Sequence, residues 1–338
     1  MEEKSINVTI NRIIVHILDT QLGMPILSLK EHLINEDIQE FMETHLSKAL
    51  KDHHLKQASF IESDNIIKKF TEVISQDQQE FIEISGEMAK YLYSIMIKNP
   101  SIPSADVMFC TFQCQDEWFL GILKFNYRSS FIHYTEETDE VRTNTIVKHQ
   151  TTLPGLHQKV DECAIISLHN YSIKLLEKEY EINGEKKCYF SEEFLQCEGR
   201  QSDVTIAKNL KKITEKFTKK YCNQDMEVAD SFGKAILGCV EEKGAIDIRE
   251  ITDRVFKNNS ELKEEYIEHM LNSGFEENEV EIREDIAEKV FRKRKIKTNH
   301  GIEINLSLED ESNHVELINN QDGTISILIK NIDSISYK

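Results

Sequence analysis

The pattern of apolar positions in the first part of the chain changes from strand-like to helical. Residues 6–18 are rich in β-branched side chains and predict a strand, and a turn leads to a short second strand at residues 26–29. Apolar residues then recur three and four positions apart. This spacing predicts amphipathic helices over the segments 35–54, 62–75 and 78–98. The chain therefore begins with strands and a helical layer.

Between residues 105 and 190 the pattern is typical of short antiparallel strands. VMFCTF and WFLGILKF predict one hairpin, and SSFIHYT and VRTNTIV repeat the pattern on either side of TEETDE. CAIISLH, YSIKLLEKEYEI and KKCYF continue the series, with Asn183-Gly184 as a tight turn. An antiparallel β-meander is the predicted result.

Helical spacing returns after Phe194, with Ser202 or Asp203 as the N-cap of the first helix. Further helices are predicted at 226–242, 247–257 and 260–272, and strands at 290–298, 301–308, 313–319 and 323–332. We therefore predict an α+β protein with two domains. Residues 1–195 form an antiparallel β-meander with a helical layer, and residues 196–338 form a helical domain that ends in a small antiparallel sheet.

Positive charge is concentrated in two short segments of an acidic chain. The first basic segment, residues 208–220, reads KNLKKITEKFTKK, and the second basic segment, residues 289–297, reads KVFRKRKIK. Together they carry +11, which leaves −30 on the rest of a chain whose formal net charge is −19. Because the Debye length at physiological salt is about 8 Å, a local cationic patch can bind phosphates although distant carboxylates repel them.

These two segments supply the candidate DNA-binding residues. On a helix, the lysines of the first basic segment lie mostly along one face, and on a strand the second basic segment is cationic on both faces. A solvated lysine face and a charged edge strand are the alternative interpretations. The candidates are Lys208, Lys211, Lys212, Lys216, Lys219, Lys220, Arg292, Lys293, Arg294, Lys295 and Lys297, together with Arg200 just ahead of the first basic segment.

The order of three helices and a strand pair over residues 226–308 is similar to that of a winged helix-turn-helix. The third of these helices contains ELKEEYIEH, residues 261–269, whose glutamates would repel the phosphates that line a major groove. The sequence therefore favours contacts with the phosphate backbone over reading of the bases.

The sequence contains none of the common catalytic motifs, such as a phosphate-binding loop or a zinc-protease helix. One arrangement remains as a remote alternative, a metal-dependent nuclease in which Asp161 and Glu185 hold Mg²⁺ and Lys187 stabilises the attacking hydroxide. The leading prediction is a protein without catalytic residues, metal or cofactor.

The cellular compartment is predicted from cysteine usage and from the absence of long apolar runs. The seven cysteines are scattered and form no C-x-x-C pair, which suits a reducing compartment. The amino terminus lacks the pattern of a secretory signal, and no apolar run approaches the roughly 20 residues that span a bilayer. We predict a soluble cytoplasmic protein that does not enter a membrane.

Several ordered motifs resemble the bacterial nucleoid-associated protein family of the NdpA type. They are INRIIVHIL, VMFCTFQCQDEWFLGILKF, CAIISLHNYSIKLL, YFSEEFLQCEGRQSD, GIEINLSLED and NNQDGTISILIKNI, which together cover essentially the whole chain. The resemblance implies a cytoplasmic bacterial protein that is found with the nucleoid and binds double-stranded DNA. It implies no individual site residue, so the candidate residues rest on charge placement.

The leading hypothesis is thus a non-enzymatic nucleoid-associated protein that contacts the backbone of double-stranded DNA with low sequence specificity and contributes to chromosome organisation. The alternative is an adaptor whose acidic surface and helical amino-terminal layer bind proteins that act on DNA. A homo-oligomer is left open at this point.

Overall fold

The structure, a computed structural model, describes residues 7–61, 64–137, 142–222, 225–257, 259–275, 279–307 and 315–334. The chain divides into two compact units, Met1–Ser202 and Asp203–Lys338. The division lies a few residues beyond the domain boundary predicted between residues 195 and 196. That each unit folds as an independent domain stays a prediction.

An antiparallel sheet of seven strands forms the centre of the first unit. Its strands are β1 (Val8–Leu18), β2 (Lys56–Phe60), β3 (Ala105–Cys114), β4 (Glu117–Asn126), β7 (Glu162–Ser167), β8 (Ile173–Leu176) and β11 (Cys197–Gly199). They lie in the order β1-β3-β4-β7-β8-β2-β11, and each neighbouring pair is antiparallel. Two hairpins lie outside this sheet, β5 (Arg128–Glu137) with β6 (Arg142–Thr152) and β9 (Tyr180–Ile182) with β10 (Glu185–Lys187).

Helices cover both faces of this sheet. Met42 and Leu46 of α1 (Glu36–Lys51) share one core with Phe125 of β4. A second core contains Ile74 of α2 (Ile66–Gln76), Leu92 of α3 (Phe81–Met96) and Ile122 of β4. Since side chains on both faces of the central strands are buried, the sequences of β3 and β4 are nearly continuous apolar runs rather than alternating ones.

Asparagine side chains determine where α1 and α2 begin. The Asn35 side chain accepts a hydrogen bond from the Ile38 N–H at 2.9 Å, and the Asn65 side chain accepts one from the Lys68 N–H at 2.9 Å. Each satisfies a backbone donor that the first turn of a helix leaves unpaired. The Asn65 cap places the start of α2 at Ile66, four residues later than the predicted start at residue 62.

The second unit consists of a helical core and small strand pairs. Its helices are α4 (Asp203–Tyr221), α5 (Met226–Lys243), α6 (Ile248–Phe256), α7 (Ser260–Asn272) and α8 (Glu284–Phe291). The strand pairs are β12 (Ala245–Asp247) with β13 (Glu279–Glu281), β14 (Lys293–Lys297) with β15 (Glu303–Ser307), and β16 (Val315–Asn319) with β17 (Ile325–Ile329). In the core, the Tyr266 ring lies 4.9 Å from that of Phe217 and 4.7 Å from that of Phe232, measured between centroids.

The predicted α+β class is confirmed. The predicted order is confirmed as well: an antiparallel sheet with helices comes first in the chain, and a helical region that ends in a small antiparallel sheet comes second. Two local predictions were wrong. The strand expected at residues 26–29 is a single bridge between Ile17 and Ile26. Of KKCYF, only the lysines lie in a strand, and Phe190–Leu195 form a π-helix because Phe190, Phe194 and Leu195 are fully buried in the core.

The strand predicted at residues 290–298 begins later than expected. Its first two residues belong to α8, which the sequence did not predict, and Arg292 caps this helix. Ile286, Ala287 and Phe291 of α8 are buried in the core of the second unit. Burial of these apolar side chains thus favours a helix up to Phe291, although the composition of the second basic segment predicts a strand there.

Candidate functional site

The first basic segment lies on α4, whose two faces differ in chemistry. Ile206, Leu210 and Phe217 are among the residues buried against the core of the second unit. The opposite face carries the exposed lysines Lys208, Lys212, Lys216, Lys219 and Lys220. Apolar residues three and four apart hold one side of the helix against the core, so the lysines between them must face solvent. We call these five residues the lysine face.

Lys211 has a different role from its neighbours on α4. Its ammonium donates hydrogen bonds to the carbonyl oxygens of Val290 and Lys293, both at 2.8 Å. Because these carbonyls belong to the end of α8 and the start of β14, Lys211 joins the two basic segments. A cation at this position also satisfies carbonyl groups that the end of a helix leaves unpaired.

The described cations of the second basic segment are not all available to a ligand. Lys293 is exposed, whereas the Arg292 guanidinium lies 2.9 Å from the Glu288 carboxylate, one turn earlier on α8. The side chains of Arg294, Lys295 and Lys297 lie outside the described part of the structure, although their backbone pairs with β15. Lys289, which was not among the candidates, is exposed on the same helix as Glu288.

A cavity of about 250 Å³ lies beside the junction of the two basic segments. Lys211 and Lys293 line it together with the carboxylates of Glu215 and Asp230 and with apolar groups. Since both signs of charge line this cavity, it offers no net attraction for phosphate. The lysine face outside it is the more strongly cationic surface.

The described part of the chain contains no ion pair between a carboxylate and the ammonium groups of Lys208, Lys212, Lys216 or Lys219. Lys220 is held differently. Its ammonium donates to the Tyr221 hydroxyl at 2.6 Å, and this hydrogen bond raises the pKa of Lys220. The lysine face therefore presents cations that neighbouring carboxylates do not neutralise in direct pairs.

The helix α7, in the position of a recognition helix, is acidic. Glu261, Glu264 and Glu268 are exposed on it, and Tyr266 and Met270 are buried on its other side. A strand, β12, separates α5 from α6, and α8 lies between α7 and the β14–β15 pair, so the element order is not the plain series of three helices and a strand pair expected from the sequence. Carboxylates on α7 oppose its entry into a major groove.

Arg200 lies in the first unit, directly after β11. Its backbone N–H donates to the Gln57 carbonyl of β2 at 2.9 Å, so this N–H is not free to bind an anion. The Gly199-Arg200 pair is therefore the end of a strand pairing, consistent with a plain connection ahead of α4.

The nuclease residues are not assembled into a metal site. Asp161, directly before β7, forms ion pairs with Lys178 at 2.5 Å and Arg128 at 3.2 Å, and Lys187 pairs with Glu185 of its own hairpin at 3.5 Å. The described residues contain no group of three His, Cys, Asp or Glu side chains that could hold a metal ion. The geometry thus gives no support to the remote nuclease alternative.

None of the described helices combines the length and the apolar character needed to cross a bilayer.

A comparison with curated proteins gives no match. A family model described as "Nucleoid-associated protein YejK" matches residues 14–335. The match extends through both compact units and confirms the resemblance stated from the ordered motifs. The chain therefore belongs to this family of nucleoid-associated proteins.

Proposed function

We propose that this protein binds double-stranded DNA through the lysine face of α4 and the adjoining start of the second basic segment. The observation that carries the proposal is the exposure of Lys208, Lys212, Lys216 and Lys219 without carboxylate partners in the described structure. Lysine ammonium groups neutralise DNA phosphates and release condensed counterions, which supplies most of the affinity of non-specific binding. Membership of a nucleoid-associated family supports the nucleoid, within the cytoplasm, as the site of action.

Contacts to the backbone, rather than to base edges, fit the chemistry of this surface. Lysine offers a flexible point charge that suits phosphates, whereas base reading in the major groove relies on bidentate groups carried by an inserted element. The exposed glutamates of α7 disfavour such an insertion. Low sequence specificity is the expected result, and no catalytic step is part of the proposed function.

Of the twelve candidates, we assign direct phosphate contact first to the lysine face and Lys293. Lys211 is held by two backbone carbonyls and Arg292 by Glu288, so both have partners to give up before they could reach DNA. Arg294, Lys295 and Lys297 remain candidates by sequence. Arg200, in the first unit, is retained as a secondary candidate.

The test is the salt dependence of duplex binding by the full chain. The triple variant K212Q/K216Q/K219Q should weaken binding and reduce the slope of log K against log salt by about 0.9 for each phosphate that is no longer neutralised. A matched control, K90Q/K98Q/K186Q, removes the same charge from exposed lysines of the first unit and should leave the slope unchanged. Equal decreases in affinity for the two variants would indicate a general charge effect and contradict the proposal.

A second experiment concerns specificity. Duplexes of equal length and unrelated sequence should bind with similar affinity at one fixed salt concentration, because phosphate contacts carry no sequence information. A strong preference for one duplex that survives in K212Q/K216Q/K219Q would show that other residues read the bases.

The adaptor alternative has its own observation. The segment between β1 and α1 exposes large apolar side chains on a strongly acidic chain, namely Leu22, Met24, Ile26, Leu29, Leu33 and Ile34. Such a surface suits a basic protein partner with an apolar centre. Recruitment to the nucleoid that persists in K212Q/K216Q/K219Q, although the variant no longer binds duplex DNA, would favour the adaptor.

A further inference from the structure

The hairpin of β5 and β6 is an arm that lies, in the sequence, between two strands that are neighbours in the central sheet. It follows β4 and precedes β7, and these two strands pair with each other. In the described part of the chain, β5 and β6 pair only with each other and form a separate sheet. At the base of the arm, the Arg128 guanidinium lies 3.2 Å from Asp161, which ties the start of β5 to the sheet.

Both faces of this arm carry exposed apolar side chains. Phe131 and Ile146 lie on one face, and each is 74% exposed. Ile132 and Val147 form a directly opposed pair on the other face, where Tyr134 follows, and these are 45%, 39% and 45% exposed. A two-stranded ribbon without a covering layer is at best marginally stable in water. The arm therefore has an apolar surface that burial would stabilise.

The charge distribution indicates which partner can cover this surface. Residues 129–135, SSFIHYT, and 143–147, TNTIV, contain no Asp, Glu, Lys or Arg, although charged residues make up 30% of the chain. Two copies of a chain with a net charge of −19 repel each other over most of their surfaces. Among the described residues, Lys148, directly opposite Phe131 and exposed, is the one cation beside these side chains on that face. The rest of the apolar surface is uncharged, so two copies can approach there at little electrostatic cost. A basic partner would gain no attraction from these residues.

The size of the surface also fits a second copy. With full aromatic side-chain areas of about 150–250 Å², the two faces together expose roughly 500 Å² of apolar side chain on each copy, so arms that cover both faces of each other bury about 1,000 Å² in a pair. Specific interfaces begin near this size. The unpaired edges of β5 and β6 add backbone donors and acceptors that a second ribbon can pair. A two-fold arrangement uses the same patch on both copies.

We propose that the β5–β6 arm is a self-association surface, through which two copies of this chain form a dimer. This inference is independent of DNA binding, because none of the lysine face lies on the arm. The occupant of the apolar surface is the same arm of a second molecule.

The experiment measures the mass of the full chain by sedimentation over a range of concentrations. The wild-type protein should form a concentration-dependent dimer. F131S/I146S should raise the dissociation constant of this dimer by at least about 100-fold. The control I61S/I97S removes two apolar side chains of the first unit that are 54% and 49% exposed and lie outside the arm, and it should dimerise like the wild type. Circular dichroism checks that each variant is folded.

Hydrogen exchange of the wild-type protein tests the same proposal without any substitution. Amides of residues 128–137 and 142–152 should become more protected as the concentration rises through the dimerisation range. A wild-type protein that stays monomeric would overturn the proposal, and so would a dimer in which these amides keep their monomer exchange rates. Dimerisation that F131S/I146S leaves intact would also contradict it.

Discussion

The ammonium of Lys124 lies 2.9 Å from the Glu162 carboxylate, on directly opposed residues of β4 and β7, and neither side chain is exposed to solvent. Lys124 also donates to the Asn126 side chain at 2.5 Å, and the Tyr189 hydroxyl donates to Glu162. Burial raises the pKa of Glu162. This network joins the two central strands of the first unit.

The first prediction is that breaking this pair destabilises the first unit more than removing it. Either K124M or E162L should lower the free energy of unfolding by about 3–5 kcal/mol, because each leaves one buried charge without its partner. The double variant K124M/E162L should recover most of this stability. Trp118, the one tryptophan of the chain, lies in β4, so its fluorescence reports denaturant unfolding of this unit. A double variant as unstable as both single variants combined would contradict the prediction.

The second prediction concerns the buried His45. Its ring lies 4.4 Å from Phe41 and 5.2 Å from Phe125 between centroids, and neither ring nitrogen has a hydrogen-bond partner among the described residues. Burial, with the nearby charges of Lys48 and Arg128, lowers the pKa of His45 to about 4. The unfolded chain therefore takes up this proton first, and stability is lost as the pH falls from 6.5 towards 4.

The variant H45L should reduce this pH dependence by up to about 1.4 kcal/mol per pH unit, with little loss of stability at pH 7. His16 offers a matched comparison because its pKa is also lowered to about 4, while its ring is satisfied by the Ser28 N–H at 3.2 Å and the Ser85 hydroxyl at 3.1 Å. H16L should reduce the pH dependence too, but unlike H45L it should lower the stability at pH 7, because it removes these two hydrogen bonds. Unfolding curves at a series of pH values check both variants.

The third prediction separates two adjacent lysines of α4. K211M removes the hydrogen bonds to Val290 and Lys293 and should destabilise the second unit by about 1.5–3 kcal/mol, measured by calorimetry. K212M should leave the stability unchanged but reduce the salt slope of DNA binding by about 0.9. A stable K211M with a reduced slope would reverse the two assignments.

The fourth prediction concerns the packing around Gly121. A Cβ atom at this position would lie 2.7 Å from Cys110 Sγ and 3.2 Å from the Phe112 ring. Because Cys110 and Phe112 are fully buried, G121A should destabilise the first unit by about 1–3 kcal/mol. The double variant C110A/G121A should recover part of this stability.

A control for this prediction is G155A, because among the described residues nothing but the chain neighbours of Gly155 lies within 4 Å of a Cβ built there. Its unfolding midpoint, followed by the fluorescence of Trp118, should stay close to that of the wild type. A G121A variant with an unchanged midpoint would show that the two strands shift to accept the methyl group.

The amino-acid sequence by itself determined the elements whose signals are local. The β3–β4 hairpin and the helices α5, α6 and α7 lie within a few residues of their predicted positions, because their periodicity and turn residues act over short distances. It also determined the family, since the ordered motifs run through the whole chain.

Only the tertiary structure decided the elements that depend on distant partners. The strand β2 forms because β8 and β11 pair with it on either side, the π-helix after Tyr189 follows from burial of its aromatic side chains, and α8 packs on a core assembled from other helices. The same holds for the lysines. Spacing alone predicts that all six lysines form one cationic face. In the structure Lys211 is not part of this face, because its ammonium donates to the Val290 carbonyl of α8. The sequence could not show this, since a hydrogen bond between residues so far apart in the chain exists only after folding.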